Sequence, residues 1–190
     1  MPRGPGFIPG LCETLLKRGM AEESSFEAEA LPHMDALFRA AMRLLRDEGK
    51  ASDAVQDTYL LAWKKFRSYQ AGTNCRAWLF QILFNVVRHE RRNWFHWITA
   101  KEEDVASIDI PALEPVPDRI TDKEILGAMD RLPATYRAVL VLVDVEEFAY
   151  KEAAAILGLP VGTVMSRLSR GRAQLREELR ATARAWGIGS

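Results

Sequence analysis

The sequence predicts an all-α protein made of two small helical domains that are joined by a flexible acidic linker. Apolar residues recur at the three- and four-residue spacing of a helix face in both halves of the chain. A segment with three prolines and many acids separates the halves, and no stretch alternates convincingly as a half-buried strand would. We therefore expect helical domains at residues 25–98 and 122–186, with the linker at 99–121.

The composition is that of an ordinary globular protein. The 190 residues are 48% hydrophobic and 27% charged. The formal net charge is zero, so the overall charge does not indicate a nucleic-acid partner. No apolar run reaches the roughly 18 residues of a membrane span, and the N-terminus lacks the apolar core and cleavage site of a signal peptide. We expect a cytoplasmic protein without membrane attachment.

Residue types that could catalyse a reaction or bind a metal form no recognisable pattern. Cys12 and Cys75 are far apart, and the three histidines have no ligand spacing, so no metal site, disulfide framework or other cofactor is expected. The chain also lacks a P-loop, a Ser/His/Asp set and paired carboxylates beside a metal-ligand pattern. We therefore expect no catalytic residues and no enzymatic activity.

Residues 1–24 are predicted to form a disordered arm, because glycine and proline come early and a polar run follows. The helical periodicity begins only after Met20. Translation from Met1 and translation from Met20 both remain open.

The first helix of the first domain places its apolar residues on one face. These residues are Leu37, Ala41 and Leu44 or Leu45, and Gly49 is expected to end the helix.

The second helix, SDAVQDTYLLAWKKF, has a buried face and a distinct polar face. Val55, Tyr59, Ala62 and Phe66 recur at i, i+4, i+7 and i+11, which predicts burial along one side. The other face carries Asp53, Gln56, Asp57, Leu60 and Lys64.

The third helix, CRAWLFQILFNVVRHERRN, follows a break at Gly72, and Thr73 or Asn74 is expected to cap it. Its predicted buried face is formed by Leu79, Ile82, Leu83 and Val86. A different face carries Gln81, Asn85, Arg88 and Arg92.

The second domain begins with DKEILGAMDRL and PATYRAVLVLVDVEEF, both predicted to be helical. The run VLVLV could form a buried strand, but Pro133 suits the first turn of a helix and the flanks have helical periodicity.

A short corner then joins two helices. The first helix is expected to end near Leu157, Gly158 to turn the chain, and Pro160 to lie in the first turn of the second helix. The predicted inner face of that second helix consists of Val161, Val164, Leu168, Leu175 and Leu179. The nearly opposite face carries Thr163, Ser166, Arg167 and Arg170, with Arg172 and Arg176 beside it.

This arrangement predicts a helix-turn-helix whose second helix fits the DNA major groove. Arginine there can bind guanine through two hydrogen bonds, while serine and threonine bind phosphates or base edges. The alternative interpretation is a solvated face of an ordinary helical hairpin, although the short corner, the proline and the small alanines favour DNA binding.

Motifs in both halves also resemble one known family. LPATYRAVLVLVDVEEFAYKEAAAILGLPVGTVMSRLSRGRAQLREEL resembles region 4 of bacterial sigma-70-type factors of the extracytoplasmic-function (ECF) group. SDAVQDTYLLAWKKF resembles region 2.2, and RAWLFQILFNVVRHERR resembles regions 2.3 and 2.4. The resemblance implies a promoter-specificity subunit that binds core RNA polymerase, recognises the minus-thirty-five element with region 4 and melts the minus-ten element with region 2.

The resemblance also assigns functional residues. It implies polymerase contacts at Asp53, Gln56, Asp57 and Leu60. For minus-ten DNA it implies Asn74, Asn85, Arg88, Arg91 and Arg92, with Asn85 near a pocket for an extruded base and residues 67–74 as a specificity loop. For the minus-thirty-five element the expected set is Thr163, Ser166, Arg167, Ser169, Arg170 and Arg172.

Some positions depart from the family pattern or have two interpretations. Met165 stands where many relatives place a base, and Ser169 where others carry an aromatic residue, which leaves the promoter sequence open. Trp94, Phe95 and Trp97 could stack on bases, but packing in the domain core or an interface is favoured.

The resemblance further implies an anti-sigma protein as a partner, in a subgroup governed by zinc-containing, redox-sensitive inhibitors and linked to stress responses. Because no large interface is evident between the domains, we expect an inhibitor to wedge between them and cover the second helix together with residues 137–147. The alternatives are a two-domain response regulator, which would need a receiver domain, and a nucleic-acid enzyme, which would need a catalytic set.

Overall fold

The structure of the chain, a computed structural model, describes residues 25–70, 72–90 and 121–185. All regular secondary structure within these ranges is helical, which confirms the predicted all-α class. The predicted arm, residues 99–120 of the predicted linker, and Arg91, Arg92 and the aromatic residues at 94, 95 and 97 lie outside the described residues. Among those that are described, none of the helices combines the length and the hydropathy needed to cross a membrane.

Within residues 25–70 and 72–90, three helices form the first bundle. After a helical turn at 25–30 and a 3-10 turn at Leu31–His33, they are α1 (Met34–Leu45), α2 (Glu48–Lys65) and α3 (Cys75–Glu90). Each of the three contacts the other two. The short 3-10 turn begins with Pro32 near its first position, where the missing N–H has no intrahelical partner to lose.

The core of the first bundle follows the predicted apolar faces. Every apolar position predicted for it is buried or half-buried: Leu37, Ala41, Leu44, Leu45, Val55, Tyr59, Ala62, Phe66, Leu79, Ile82, Leu83 and Val86. Phe80 and Phe84 add two large, fully buried rings from α3. Since burying one such side chain contributes about 1.5–3 kcal/mol, this shared core holds the helices in place more firmly than their propensities do.

Asn74, one of the two residues predicted to cap α3, is its N-cap. The predicted end of α1 at Gly49 was wrong. The Asn74 side chain accepts a hydrogen bond from the backbone N–H of Ala77 at 3.0 Å. Helix α1 ends at Leu45, and Gly49 lies in the first turn of α2. Asp47 caps α2 by accepting from the Lys50 N–H at 2.9 Å, so the cap residue fixes the boundary earlier than the glycine suggests.

The second bundle contains α4 (Asp122–Arg131), α5 (Ala134–Leu140), a π-helical turn (Val141–Val145), α6 (Tyr150–Leu157) and α7 (Val161–Ala185). Helix α7 contacts α4, α5 and α6. The run VLVLV is helical and its Val141 and Leu142 are buried, which confirms the helical interpretation over the strand. Thr121 and Glu124 form a capping box at the start of α4.

The predicted corner is present between α6 and α7. Gly158 adopts the left-handed conformation with φ of 68°, which glycine adopts without steric cost. On α7 the predicted inner residues Val164, Leu168 and Leu179 are buried. Val161 is not: it is the first residue of α7 and is 37% exposed, so the packed face begins one turn later.

Helix α7 passes close to α5 at Gly171, which is buried. A Cβ atom at this position would lie 3.2 Å from Cβ of Tyr136 and 3.3 Å from Cδ1 of Leu140. We expect Gly171→Val to lower the free energy of unfolding by about 1–3 kcal/mol through overpacking. Gly127→Val, in open space on α4, is the control and should change stability little, because valine is a slightly better helix former than glycine. Chemical denaturation measures both, and equal stability of the two variants would show that α7 and α5 can move apart freely.

The two bundles pack directly against each other, so the expectation of no large interface was wrong. Helix α3 lies against α6, and α1 lies against α5. The contacts use arginines at positions that look solvated in the sequence, including Arg43, Arg76 and Arg88, each of which is only partly exposed. Their long side chains bury apolar stems and reach acceptors on the other bundle, which a helical pattern does not reveal.

Candidate polymerase and DNA surfaces

The four residues predicted to contact polymerase lie on one exposed side of α2. Asp53, Gln56 and Asp57 are exposed, and Leu60 is 52% exposed. A large apolar side chain this exposed among carboxylates suits a partner surface with both apolar and basic groups.

This side of α2 borders a groove that runs between α2 and α3. The groove has a volume of about 470 Å³. It is lined by Asp57, Leu60, Leu61, Asn85, Val86 and His89. The structure therefore brings the predicted polymerase contacts Asp57 and Leu60 together with Asn85, the residue predicted to lie beside an extruded base. The exposed Asn85 amide can both donate and accept hydrogen bonds, as recognition of a base edge requires.

Two other residues of the predicted minus-ten set form hydrogen bonds to the second bundle, although Asn74 is exposed and Arg88 partly exposed. The Asn74 side chain donates to a carboxylate oxygen of Glu152 at 2.7 Å. Arg88 donates to the backbone carbonyl of Leu157 at 3.1 Å, at the C-terminal end of α6. Asn74 and Arg88 thus lie at the junction of the two bundles, while Asn85 faces the groove.

The outer face of α7 is exposed as predicted for most of its residues. Ser166 is exposed, and Thr163, Ser169 and Arg170 are half-exposed. Met165, one of the departures from the family pattern, is 51% exposed on this helix and adds an apolar side chain there. Thymine methyl groups in the major groove accept such apolar contacts.

Arg172 lies beside this face and is bound to Asp144 of the same bundle. Its Nε donates to Oδ2 at 3.0 Å, and its Nη2 donates to the other carboxylate oxygen. The hydrogen bond to Asp144 is the main cause that raises the pKa of Arg172. The two hydrogen bonds orient the guanidinium, and the carboxylate beside it weakens its net positive field.

The predicted position of Arg167 on the outer face was wrong. Arg167 is only 2% exposed. It lies one turn after Val164 and directly before Leu168, both of which are buried, so its stem belongs to the edge of the packed face. An arginine with three rotatable methylenes can occupy such an edge, and a count of polar residues on a helical wheel misses it.

Sequence analysis also missed the residues at the centre of the junction, Arg76 and Glu146. Arg76 donates to the Glu146 carboxylate at 2.7 Å and to its backbone carbonyl at 2.8 Å. The only available signal was the occurrence of Glu146 in a strongly apolar run, VLVLVDVEEF, where a carboxylate needs a partner if it is buried.

The described cysteine is a structural residue. Burial, followed by the negative charge of Glu29, raises the pKa of the Cys75 thiol. The thiol therefore stays protonated near neutral pH and is a poor nucleophile. Within the described part of the chain, no group of three or more His, Cys, Asp and Glu side chains is arranged to hold a metal ion.

Both bundles match regions of one protein family. Residues 31–95 match Sigma-70 region 2, and residues 122–175 match Sigma-70, region 4. The chain therefore belongs to the sigma-70 family of transcription initiation factors.

Similar proteins place it within the extracytoplasmic-function group. The chain is 37% identical over 153 residues to the ECF RNA polymerase sigma factor SigE of Mycolicibacterium smegmatis, an alignment that covers 77% of this chain and 58% of the relative. It is 34% identical over 154 residues to the ECF RNA polymerase sigma factor EcfG of Rhodopseudomonas palustris, covering 80% and 83%.

Solved structures of similar fold are also sigma factors. The co-crystal structure of the sigma factor RpoE in complex with the anti-sigma factor NepR from Bartonella quintana matches with a TM-score of 0.65 and 34% identity, covering 82% of this chain and 97% of that one. The structure of CnrH in complex with the cytosolic domain of CnrY matches with a TM-score of 0.60 and 28% identity, covering 84% and 90%.

Proposed function

We propose that this chain binds core RNA polymerase and directs it to specific promoters. The observation that carries the proposal is the presence of two separate exposed surfaces on matched sigma regions of one chain. One is the acidic and leucine-bearing side of α2 with its groove, and the other is the outer face of α7 in the helix-turn-helix.

The side of α2 supplies the polymerase contact. Asp53, Gln56 and Asp57 offer acceptors to basic groups, while the exposed Leu60 provides apolar area one turn further along the helix. Charged groups around an apolar anchor are the arrangement that gives a protein interface its orientation and its affinity.

The groove supplies the site for the minus-ten element. Melting a promoter requires a place for an unstacked base and positive charge for the exposed strand. Asn85 in the groove suits the first task, and Arg88 with Arg91 and Arg92, the last two outside the described residues, suits the second. Asn74, at the start of α3, completes the set.

The outer face of α7 supplies the site for the minus-thirty-five element. Ser166, Ser169 and Arg170 form its centre, with Thr163 and Arg172 beside them. Arg167 supports the helix from the packed side. In this function the chain performs no covalent chemistry of its own and works in the cytoplasm, where polymerase and DNA meet.

Transcription with a randomised promoter library tests the proposal. Purified core polymerase is mixed with the library in the presence and in the absence of the chain, and the transcripts are sequenced. We expect the chain to enrich promoters with two separated conserved elements. If the transcripts had the same abundance and came from the same distribution of promoter sequences in both reactions, the proposed function would be refuted.

We further propose that an anti-sigma protein restrains the chain until a stress signal releases it. The support is the similarity to RpoE, whose solved structure contains an anti-sigma factor. Most of residues 137–147 are buried, with Arg137 and Glu146 each 5% exposed, and only Asp144 and Glu147 of this range are exposed, so the range does not offer the open inhibitor surface expected from the sequence. An inhibitor that contacted Arg137 or Glu146 would have to separate the two bundles.

Affinity purification of the chain from unstressed cells should recover such an inhibitor, with zinc and a redox-sensitive thiol as its expected features. The purified chain alone should be active in transcription. Recovery of core polymerase without another protein, in cells whose target promoters are already active, would count against an inhibitor.

A further inference from the structure

The first two turns of α7 carry an exposed apolar strip that consists of Val161 and Met165. Val161 is 37% exposed and Met165 is 51% exposed. The two residues are four positions apart, so they lie one turn from each other on the same side of the helix. Neither belongs to the packed face, which begins with the buried Val164 and continues with Leu168. The strip therefore faces solvent in the free chain.

Gly162 follows Val161 and leaves the helix narrow beside the strip. It is exposed. Apart from its chain neighbours and the backbone of its own helix, no described atom lies within 4 Å of the point that a Cβ atom would occupy there. The N-terminal residues of a recognition helix are the ones that contact base edges in the major groove. A DNA duplex can therefore approach the backbone of α7 closely next to the strip.

The charges around the strip favour DNA as the surface that covers it. Residues 161–176 include several arginines and no acid, so this part of α7 suits a negatively charged partner. In the major groove of DNA, the 5-methyl group of thymine is the apolar group that a base edge presents. An apolar strip on a basic helix in this position therefore matches thymine better than the other three bases.

The chemistry of methionine supports the same contact. Its unbranched side chain has three rotatable bonds and a polarizable thioether, so it can adapt to the position of a methyl group. It donates no hydrogen bond. The basic residue that many relatives place at this position can bind guanine, whereas Met165 offers mainly apolar contact.

The neighbouring Ser166 can recognise the base that pairs with thymine. Its hydroxyl donates to the Thr163 carbonyl at 3.1 Å, so its oxygen is left to accept a hydrogen bond from outside the helix. The amino groups of adenine and cytosine are the donors that base edges present in the major groove. An A·T pair presents the adenine amino group and the thymine methyl group together, whereas a G·C pair presents no methyl group.

We propose that Met165 makes the chain select an A·T pair in the minus-thirty-five element through contact with the thymine methyl group, and that Ser166 accepts from the adenine amino group of this pair. The inference rests on the proposed function, because it takes the outer face of α7 to read that element. It names a base pair at a point where the departure of Met165 from the family pattern left the promoter sequence open.

The test removes the methyl group from the DNA and changes nothing else. The full chain is bound to core polymerase, and the complex is titrated with duplexes that carry a promoter enriched from the library. In each duplex a different thymine of the upstream element is replaced by uracil, which pairs with adenine as thymine does but lacks the methyl group. At one thymine the replacement should weaken binding roughly fourfold, as expected for the loss of one buried methyl group.

Variants of the chain complete the cycle. Met165→Ala should bind the thymine duplex more weakly than the wild-type chain and should no longer distinguish it from the uracil duplex, as a direct contact predicts. Met165→Leu, which keeps an apolar side chain, should retain part of the preference. Met34→Ala is the control, because it removes a methionine of the first bundle that is 43% exposed, and it should distinguish the two duplexes as the wild-type chain does. Thermal melting shows whether each variant is folded.

A second replacement tests Ser166. Purine in place of the paired adenine, which removes the amino group, should weaken binding by the wild-type chain and should not weaken binding by Ser166→Ala any further. Equal sensitivity of both chains to purine would overturn the role of Ser166.

The outcomes separate this inference from the proposed function. A Met165→Ala variant that still prefers thymine, or that no longer binds polymerase, would assign Met165 another role and overturn the proposal. A library that yields an upstream element, followed by equal binding of every uracil duplex, would refute the inference alone. A library that yields no upstream element would refute the proposed function and the inference together.

Discussion

Asp57→Arg is expected to abolish most binding of the chain to core RNA polymerase. Asp57 is exposed on the polymerase side of α2, beside the exposed Leu60. Reversing a charge at a desolvated interface leaves two like charges facing each other, and losses of this kind are about 2–5 kcal/mol, or about 30-fold to several thousand-fold in affinity. Equilibrium binding of a labelled chain to core polymerase measures the effect.

Glu48→Arg is the matched control for this prediction. Glu48 is an exposed acid of the same helix, about two and a half turns earlier and therefore on the opposite side. It should leave polymerase affinity almost unchanged and lower stability slightly, because an acid in the first turn favours the helix dipole. If Asp57→Arg and Glu48→Arg bound polymerase equally well, the polymerase surface would lie elsewhere.

Arg170→Ala and Arg167→Ala are expected to lower transcription for different reasons, although the two residues are one turn apart on α7. Arg170 is half-exposed on the outer face, and loss of a two-hydrogen-bond contact to a base costs about 1–3 kcal/mol, or about 5- to 150-fold in promoter use. Arg167 is 2% exposed, so its loss should remove packing and lower the free energy of unfolding by about 1–3 kcal/mol.

The two effects are separated by measuring transcription and thermal stability for both variants. Arg170→Ala should melt like the wild-type chain and still bind polymerase, but lose selection of the upstream element. Arg167→Ala should melt earlier and lose activity in proportion to the unfolded fraction. Unaltered promoter selection by Arg170→Ala would show that the outer face of α7 does not read DNA.

The sequence was sufficient to predict the features that depend on residues close together in the chain. Apolar spacing predicted the buried faces of α1, α2 and α3, since a helix must bury one side whatever it packs against. Gly158 predicted the corner because the left-handed conformation there needs no Cβ. The candidate surfaces on α2 and α7 were predicted from the residues that do not belong to the apolar faces of these helices.

The junction could not be predicted because it depends on residues far apart in the chain. Arg76 and Glu146 meet across 70 positions of sequence, and the apolar run around Glu146 indicates a buried carboxylate without showing which base pairs with it. Arg167 misled the prediction for the same reason, since an arginine counts as polar although most of its length is apolar. Gly49 misled it in another way, because the Asp47 cap fixed the helix boundary first.

Cleavage of promoter DNA by tethered reagents shows which surface of the chain lies at which promoter element. An iron chelate is attached to His89→Cys, an exposed position that lines the α2–α3 groove, or to Met165→Cys in a Cys12→Ser chain; Cys75 can remain, because it is buried and its raised pKa keeps it unreactive. Each labelled chain is bound to core polymerase on an enriched promoter, and hydroxyl radicals are generated. The chelate at 165 should cut around the minus-thirty-five element and the chelate at 89 around the minus-ten element. Cuts at the same place from both positions, or at neither element, would contradict the assignment of α7 and the α2–α3 groove to the two elements.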